Sequence, residues 1–272
     1  MNIIKVTISI FLSASLVGCA DFDSDHTPVK TLALQNQSAV LWMQKSGEYR
    51  ALAYQAFNTA KLSLDEKLSS NLHKKNAIIV DLDETMLDNS PYSAWQLLHG
   101  QPYTDATWSL WVRSEKASAI PGAVEFAHYV VDNGGYIFYV SNRSENDLSA
   151  TLSNMKKLNF PNAESEFLRL KPSGSNSNKK TRFNEIKNLG YNVVMYIGDN
   201  INDFTEDTYH KNYNIRMLFS DANKNKFGID YIVIPNPSYG DWESSLAQDY
   251  FKKSASERIV IRNNSLKEWS KK

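Results

Sequence analysis

Apolar spacing defines the first elements. Tyr49, Leu52, Ala53, Ala56, Phe57 and Ala60 recur three and four residues apart, which places one apolar stripe along a helix. Ser63 and Glu66 have the spacing of a capping box, so a second short helix is predicted from there to Leu72. The period then changes. Ala77-Ile78-Ile79-Val80 is an unbroken apolar run, the mark of a strand covered on both faces of a parallel sheet. Residues 89–120 are irregular and aromatic, with Tyr92, Trp95, Tyr103, Trp108 and Trp111. Pro121-Gly122 opens a helix carrying Val124, Ala127, Val130 and Val131, and Gly134-Gly135 ends it. Strands are then predicted at 136–140, 167–170, 193–197, 215–219 and 231–234, with helices at 147–158 and 181–189. Such alternation implies an α/β fold, a parallel sheet with helices on both faces. Ser173 to Asn178 reads as a loop, and the polar tail from Ser254 as helical near 256–269.

The first residues follow a different rule. Lys5 precedes an apolar stretch at 6–16 that is too short for a permanent membrane span, so residues 1–18 read as an export signal. The signal ends in Leu16-Val17-Gly18-Cys19-Ala20, which resembles the lipobox of bacterial lipoproteins, where the cysteine is acylated and becomes the mature N-terminus. The resemblance implies a membrane anchor at Cys19, each buried CH₂ of its acyl chains contributing ~0.8 kcal/mol. Ala20 in place of Asp implies sorting to the outer membrane. Residues 19–33 are then the lipidated cysteine and its tether, 34–76 N-terminal helices, 77–253 a core with an insertion at about 89–120, and 254–272 a tail.

Composition removes some functions. The 30 Lys+Arg balance 30 Asp+Glu, so there is no basic excess to displace counterions, and a nucleic acid polymer is not expected as partner. Cys19 is the only cysteine, which excludes an intramolecular disulfide framework and a CxxC zinc or redox site. His26, His73, His99, His128 and His210 stand in none of the motifs of a histidine-ligated two-metal nucleotidase.

Ligands of such a sheet bind beyond the carboxyl ends of its strands. Three predicted strands end in polar clusters: Asp81-Leu82-Asp83-Glu84-Thr85, Ser141-Asn142-Arg143, and Gly198-Asp199-Asn200 followed by Asp203. Asp81 and Asp83, two apart, project to the same side of a strand. Asp81, Asp83, Asp199 and Asp203 brought to one edge repel one another unless a cation neutralises them. Carboxylate and carbonyl ligands favour a hard ion, Mg²⁺ above all.

The order of these clusters, with a lysine after a loop between the second and third, resembles the haloacid dehalogenase superfamily of phosphohydrolases. Longer runs, DLDETMLDNSPY at 81–92, AIPGAVEF at 119–126, GDNxxDF at 198–204 and YGxWE at 239–243, resemble its class C acid phosphatases. Those are bacterial surface lipoproteins that include a 5′-nucleotidase type, and the likeness covers roughly residues 35–255. It implies a Rossmann-like sheet with a small, aromatic-rich, mostly helical cap made by the insertion, Trp95 and Trp111 in the cap's core. It also implies a two-step phosphoryl transfer favoured below neutral pH. Asp81 is the expected nucleophile, and Asp83 the acid for the leaving oxygen and then the base for water. Asp81, the Asp83 backbone carbonyl, Asp199 and Asp203 would hold Mg²⁺. Ser141, Asn142, Arg143 and a lysine would bind phosphoryl oxygens. Lys179 lies twenty positions before Asp199 and is the first choice, with Lys180 and then Lys171 as alternatives. Tyr103, Trp108 and Tyr239 would clamp the base of a nucleoside 5′-monophosphate or of nicotinamide mononucleotide, at ~1–3 kcal/mol of stacking per base.

The rival expectation is a non-catalytic surface lipoprotein that binds nucleotide or haem. A binder has no need of Asp83, and no histidine stands out as an axial ligand. Small phosphomonoesters and a membrane are the expected partners, with a homodimer left open.

Overall fold

The computed structural model describes residues 27–70 and 73–270. The export signal, Cys19 and most of the expected tether lie outside the described residues. Helix enters earlier than expected, since α1 (Pro28–Leu34) occupies the end of the span read as tether. The Thr27 hydroxyl accepts the Lys30 N–H at 3.3 Å, and Pro28 sits in the first turn, where its missing N–H goes unused. After α2 (Gln37–Lys45), α3 (Gly47–Ser70) is one helix of 24 residues rather than two. Its buried stripe of Tyr49, Ala53, Phe57 and Ala60 continues in phase to Leu64. Ser63 is therefore interior to the helix, and its hydroxyl donates to the Ile229 carbonyl at 2.8 Å.

The core begins with β1 (Asn76–Val80). The insertion leaves through β2 (Leu87–Asp88), forms α4 (Ser90–His99) and α5 (Asp105–Ser114), and returns through β3 (Ser118–Ala119), antiparallel to β2. Then come α6 (Ala123–Asp132), β4 (Tyr136–Ser144), α7 (Leu148–Lys157), β5 (Leu168–Lys171), α8 (Lys180–Asn188), β6 (Asn192–Gly198), α9 (Tyr213–Ala222), β7 (Tyr231–Val233), α10 (Asp241–Ser244) and α11 (Ala255–Ser265). Five parallel strands run in the order β5-β4-β1-β6-β7. The chain builds outward from β1 through β4 to β5, then crosses back to β6 and β7. The reversal places a crevice at the carboxyl end of β1.

Side-chain alternation divides β1 between two apolar layers. Ile78 and Val80 pack with Phe57 of α3, Phe126 of α6 and Met155 of α7. Ala77 and Ile79 pack with Phe138, Phe183 and Ile186 on the face covered by α8. This two-sided burial is why the strand reads as an unbroken apolar run.

One predicted strand is a helix. Residues 215–219 lie inside α9, because an apolar run of five fits either a buried strand or a helix segment. Two polar groups decide the matter. Asn212 caps the first turn by accepting the Ile215 N–H at 3.1 Å, and buried Arg216 reaches Asn202, Thr208 and Asn200 at 3.0–3.1 Å. Met217 and Leu218, apolar in the pattern, face solvent. At the C-terminus α11 opens on a capping box of Ser254 and Glu257 and ends at Ser265, short of the expected 269. Its Arg258 and Arg262 pair with buried Glu243 at 3.1 and 2.5 Å.

Phe57 and Phe126 stack with ring centroids 5.3 Å apart at the centre of the larger layer. Phe57→Ala is expected to lower unfolding stability by about 3–5 kcal/mol, read from the denaturant midpoint at unchanged slope.

Candidate active site

The carboxyl end of β1 delivers Asp81 into the crevice, its backbone N–H held by the Ile197 carbonyl of β6 at 2.9 Å. The end of β6 delivers Asp199, and the turn after it Asp203. Oxygens of these three carboxylates lie within 4.8 Å of one another. Gly198 makes the approach feasible, because a Cβ there would overlap the Asp203 carboxylate. The Asp203 carboxylate is fixed by the Asn200 N–H at 3.0 Å, and Asp199 by the Asn236 amide at 2.7 Å.

Lys179, buried at the start of α8, bridges Asp81 and Asp203, the latter at 2.7 Å. Neither alternative lysine does so. Lys180 pairs with Glu206 in solvent, and Lys171 lines a cleft under the cap. Burial pushes the Asp81 carboxyl up to about 7; Lys179 opposes the rise, and Asp203 and Asp83 add to it. Asp199 is pushed well above the ordinary carboxylate range by burial, then by Asp203 and Asp81. Burial works against the Lys179 ammonium, yet Asp203 and Asp81 more than offset this and hold it above its ordinary value. Three carboxylates facing one ammonium leave a negative excess, and an all-oxygen donor set of this size fits a hard divalent cation.

The Asp83 carboxylate lies outside this set and turns toward the cap. It accepts from the Ser141 hydroxyl at 3.0 Å, the Asn89 amide at 2.9 Å and the Arg143 guanidinium at 2.8–2.9 Å. Arg143 is thus engaged with Asp83 and with Asn89, and the Asn142 side chain accepts from Arg182 at 2.7 Å. Arg182 also donates to the Ser141 carbonyl at 2.6 Å, which fixes the turn after β4. Sequence reasoning missed Asn89, Arg182 and Asn236. Arg182 had a signal: it lies three residues after Lys179, one helical turn along α8. Asn236 follows the carboxyl end of a strand, as the aspartates do.

Asn89 joins core to cap. Its side-chain carbonyl accepts from the Trp111 indole at 2.8 Å, while its backbone N–H donates to Glu84 at 2.8 Å. Glu84 is fully buried at a φ of 59°, and burial, then Asp83 and Asp199, push its carboxyl well above the usual range. The Tyr239 hydroxyl donates to Glu84 from the loop before α10. Tyr103 and Trp108 stand 6.2 Å apart, centroid to centroid, on the cap wall of a cleft of about 410 Å³ whose core wall includes Asn142. Tyr239 is not among the residues lining that cleft. Trp95, expected in the cap's core, stacks on Tyr92 at 5.9 Å but stays partly exposed.

Residues 13–242 match the family described as HAD superfamily, subfamily IIIB (acid phosphatase). The fold superposes on the class C acid phosphatase from Bacillus anthracis with a TM-score of 0.83 and 38% identity, over 88% of this chain and 99% of that one. A second structure of the Bacillus anthracis enzyme, with tungstate bound, gives 0.84 and 38% over 89% and 100%. Among curated proteins, acid phosphatase 1 of Solanum lycopersicum is 28% identical over 132 residues, 46% of this chain and 50% of its own. The stem 28 kDa glycoprotein of Glycine max is 27% identical over 136 residues, 48% and 54%. The chain spans about half the length of these curated relatives.

The Asp81 shift has a sign that can be measured. Its folded value of about 7 exceeds the ordinary 3.8, so the native state holds that proton more tightly than the unfolded chain. With metal chelated, stability from this group is fully present below about pH 4 and is lost as pH rises to about 7. Asp81→Asn should therefore unfold at a higher temperature than the parent at about pH 8, with the difference gone at about pH 4. A difference independent of pH would mean that the buried charge is not its cause.

Proposed function

Because the chain belongs to the HAD superfamily, subfamily IIIB, of acid phosphatases, we propose that it hydrolyses phosphomonoesters, nucleoside 5′-monophosphates and nicotinamide mononucleotide among them, through a phosphorylated Asp81. The observation that carries this reading is the set of buried Asp81, Asp203 and Lys179 with half-buried Asp199 at the carboxyl edge of the sheet. It lies beside Asp83, a second carboxylate held by separate donors. Tungstate is a tetrahedral oxyanion like phosphate, so its presence in the related Bacillus anthracis enzyme supports an oxyanion site here.

In this reading an Asp81 oxygen attacks phosphorus and the ester oxygen departs, taking a proton from Asp83. Water then attacks the aspartyl phosphate, Asp83 accepts its proton, and phosphate leaves with Asp81 restored. Lys179 neutralises the anionic nucleophile and the incoming phosphoryl oxygens. Mg²⁺, which Asp81, Asp199, Asp203 and the Asp83 backbone carbonyl would hold, supplies when bound the positive charge that lets phosphate approach a carboxylate. Arg143, Asn89 and Ser141 act on the substrate only through Asp83, by fixing its carboxylate on the leaving-group side. A purely binding role, for nucleotide or haem, leaves this fixed second carboxylate without a task.

The reading extends to location. Acylation of Cys19 would tether the domain to the outer membrane by the segment preceding Thr27. Among the described residues no helix is long and apolar enough to cross a membrane.

Purified protein should release phosphate from AMP fastest at mildly acidic pH, lose the activity to a chelator and regain it with Mg²⁺. Asp81→Asn is expected to lower kcat by about three orders of magnitude or more while keeping the fold; substantial turnover would move the nucleophile elsewhere. Tyr103→Ala should raise KM for AMP roughly tenfold and for a small aryl phosphate less, with Tyr103→Phe close to the parent. Equal effects on both esters would leave Tyr103 only its contact with Asp105.

A further inference from the structure

We propose that Lys171 binds a second phosphate on the leaving portion of the substrate, so that the preferred esters are nucleoside bisphosphates. This rests on the phosphatase reading and names the substrate class of that same site. Lys171 is the last residue of β5, beside Ser144 of β4. Between Val140 and Ser144 the β4 strand advances four residues while β5 advances two, from Arg169 to Lys171. Across this slip Asn142 is exposed at the rim, Arg143 turns inward to Asp83, and Lys171 is left half-buried on the core wall of the cleft.

The cations and anions around it are already assigned. Lys179 holds the phosphoryl end, so Lys171 is not needed there. Asp147 accepts from Arg113 at 2.7 Å and Ser109 at 2.8 Å, Asp105 accepts from the Tyr103 hydroxyl at 3.1 Å, and Glu145 accepts from the Ser173 N–H at 2.8 Å. Lys171 lines the cleft half-buried and has no ion-pair partner among the described residues. Ser173 and Ser175, in the turn centred on Gly174 at φ 73°, bring hydroxyl-bearing side chains to the same wall. Opposite stand Tyr103 and Trp108.

One wall thus offers the rings of Tyr103 and Trp108 with Asp105 beside them, and the other an ammonium with no ion-pair partner among the described residues, flanked by serines. An aromatic base on the rings, with its ester phosphate at Asp81, would turn a second phosphate toward Lys171. A lysine serves such a group as a point charge, not as a geometric fork, so Arg should replace it in part and an uncharged side chain should not.

The test compares kcat/KM for adenosine 3′,5′-bisphosphate, followed as loss of the 5′-phosphate, with kcat/KM for AMP in the Mg²⁺-loaded enzyme. Lys171→Met should lower the bisphosphate-to-AMP ratio roughly tenfold, Lys171→Arg should lower it less, and added salt should compress the ratio in the parent but not in Lys171→Met. An unchanged ratio in Lys171→Met, or an equal loss on both esters, overturns the proposal and leaves the phosphatase reading standing. Failure of the parent to hydrolyse either ester overturns both.

Discussion

Taking Asp81, Asp199 and Asp203 out of water at one strand edge is unfavourable beyond what a single lysine can offset. Much of the surrounding chain answers that unfavourable term. Gly198 has no side chain because the Asp203 carboxylate fills the space. Asn200 and Asn236 supply donors. Lys179 is drawn into the crevice by its two carboxylates against the burial of its own ammonium. A parallel sheet suits the purpose, because its crossover topology brings distant segments to one rim while apolar layers hold the strands from both sides.

Asp83 is two residues from Asp81, yet its donors are entirely different. Arg143, Ser141 and Asn89 come from β4 and from the start of the cap, so the position of the second carboxylate depends on how the cap meets the core. Several polar contacts pin that junction besides Asn89. Asp147 holds Arg113 and Ser109 of α5, Glu115 accepts from Ser153 and Lys157 at 2.5 Å, and the Asn154 amide donates to the Ala117 carbonyl at 3.0 Å. The cap is anchored on α7 at both its ends, and a cleft of about 410 Å³ lies between its aromatic rings and the β4–β5 rim.

Legibility varied with the kind of information each residue carries. β1 was readable because a strand buried on both faces has no alternative to an apolar run, and the Asp clusters because they follow such strands directly. α9 was not readable from its apolar residues, since what holds it is Arg216, whose partners Asn200, Asn202 and Thr208 lie in the preceding turns, outside any helical or strand spacing. Ser63 failed for a related reason. Its spacing to Glu66 satisfies a local rule, but a continuous apolar stripe and the nearby Ile229 carbonyl override it. Arg143 was readable as a polar residue after a strand, whereas its commitment to Asp83 depended on contacts across the fold.

By itself, then, the order of residues determined the α/β class, the strand ends that bear carboxylates and the family resemblance, because each depends on periodicity or on motifs contiguous in the chain. Tertiary structure decided which carboxylate faces the cap and that Lys171 faces a cleft with no ion-pair partner among the described residues, and it set Lys179, already the first choice by spacing, against Asp81 and Asp203. Those outcomes turn on distances between segments up to about a hundred residues apart, Lys179 to Asp81 among them, and only the packed sheet sets such distances.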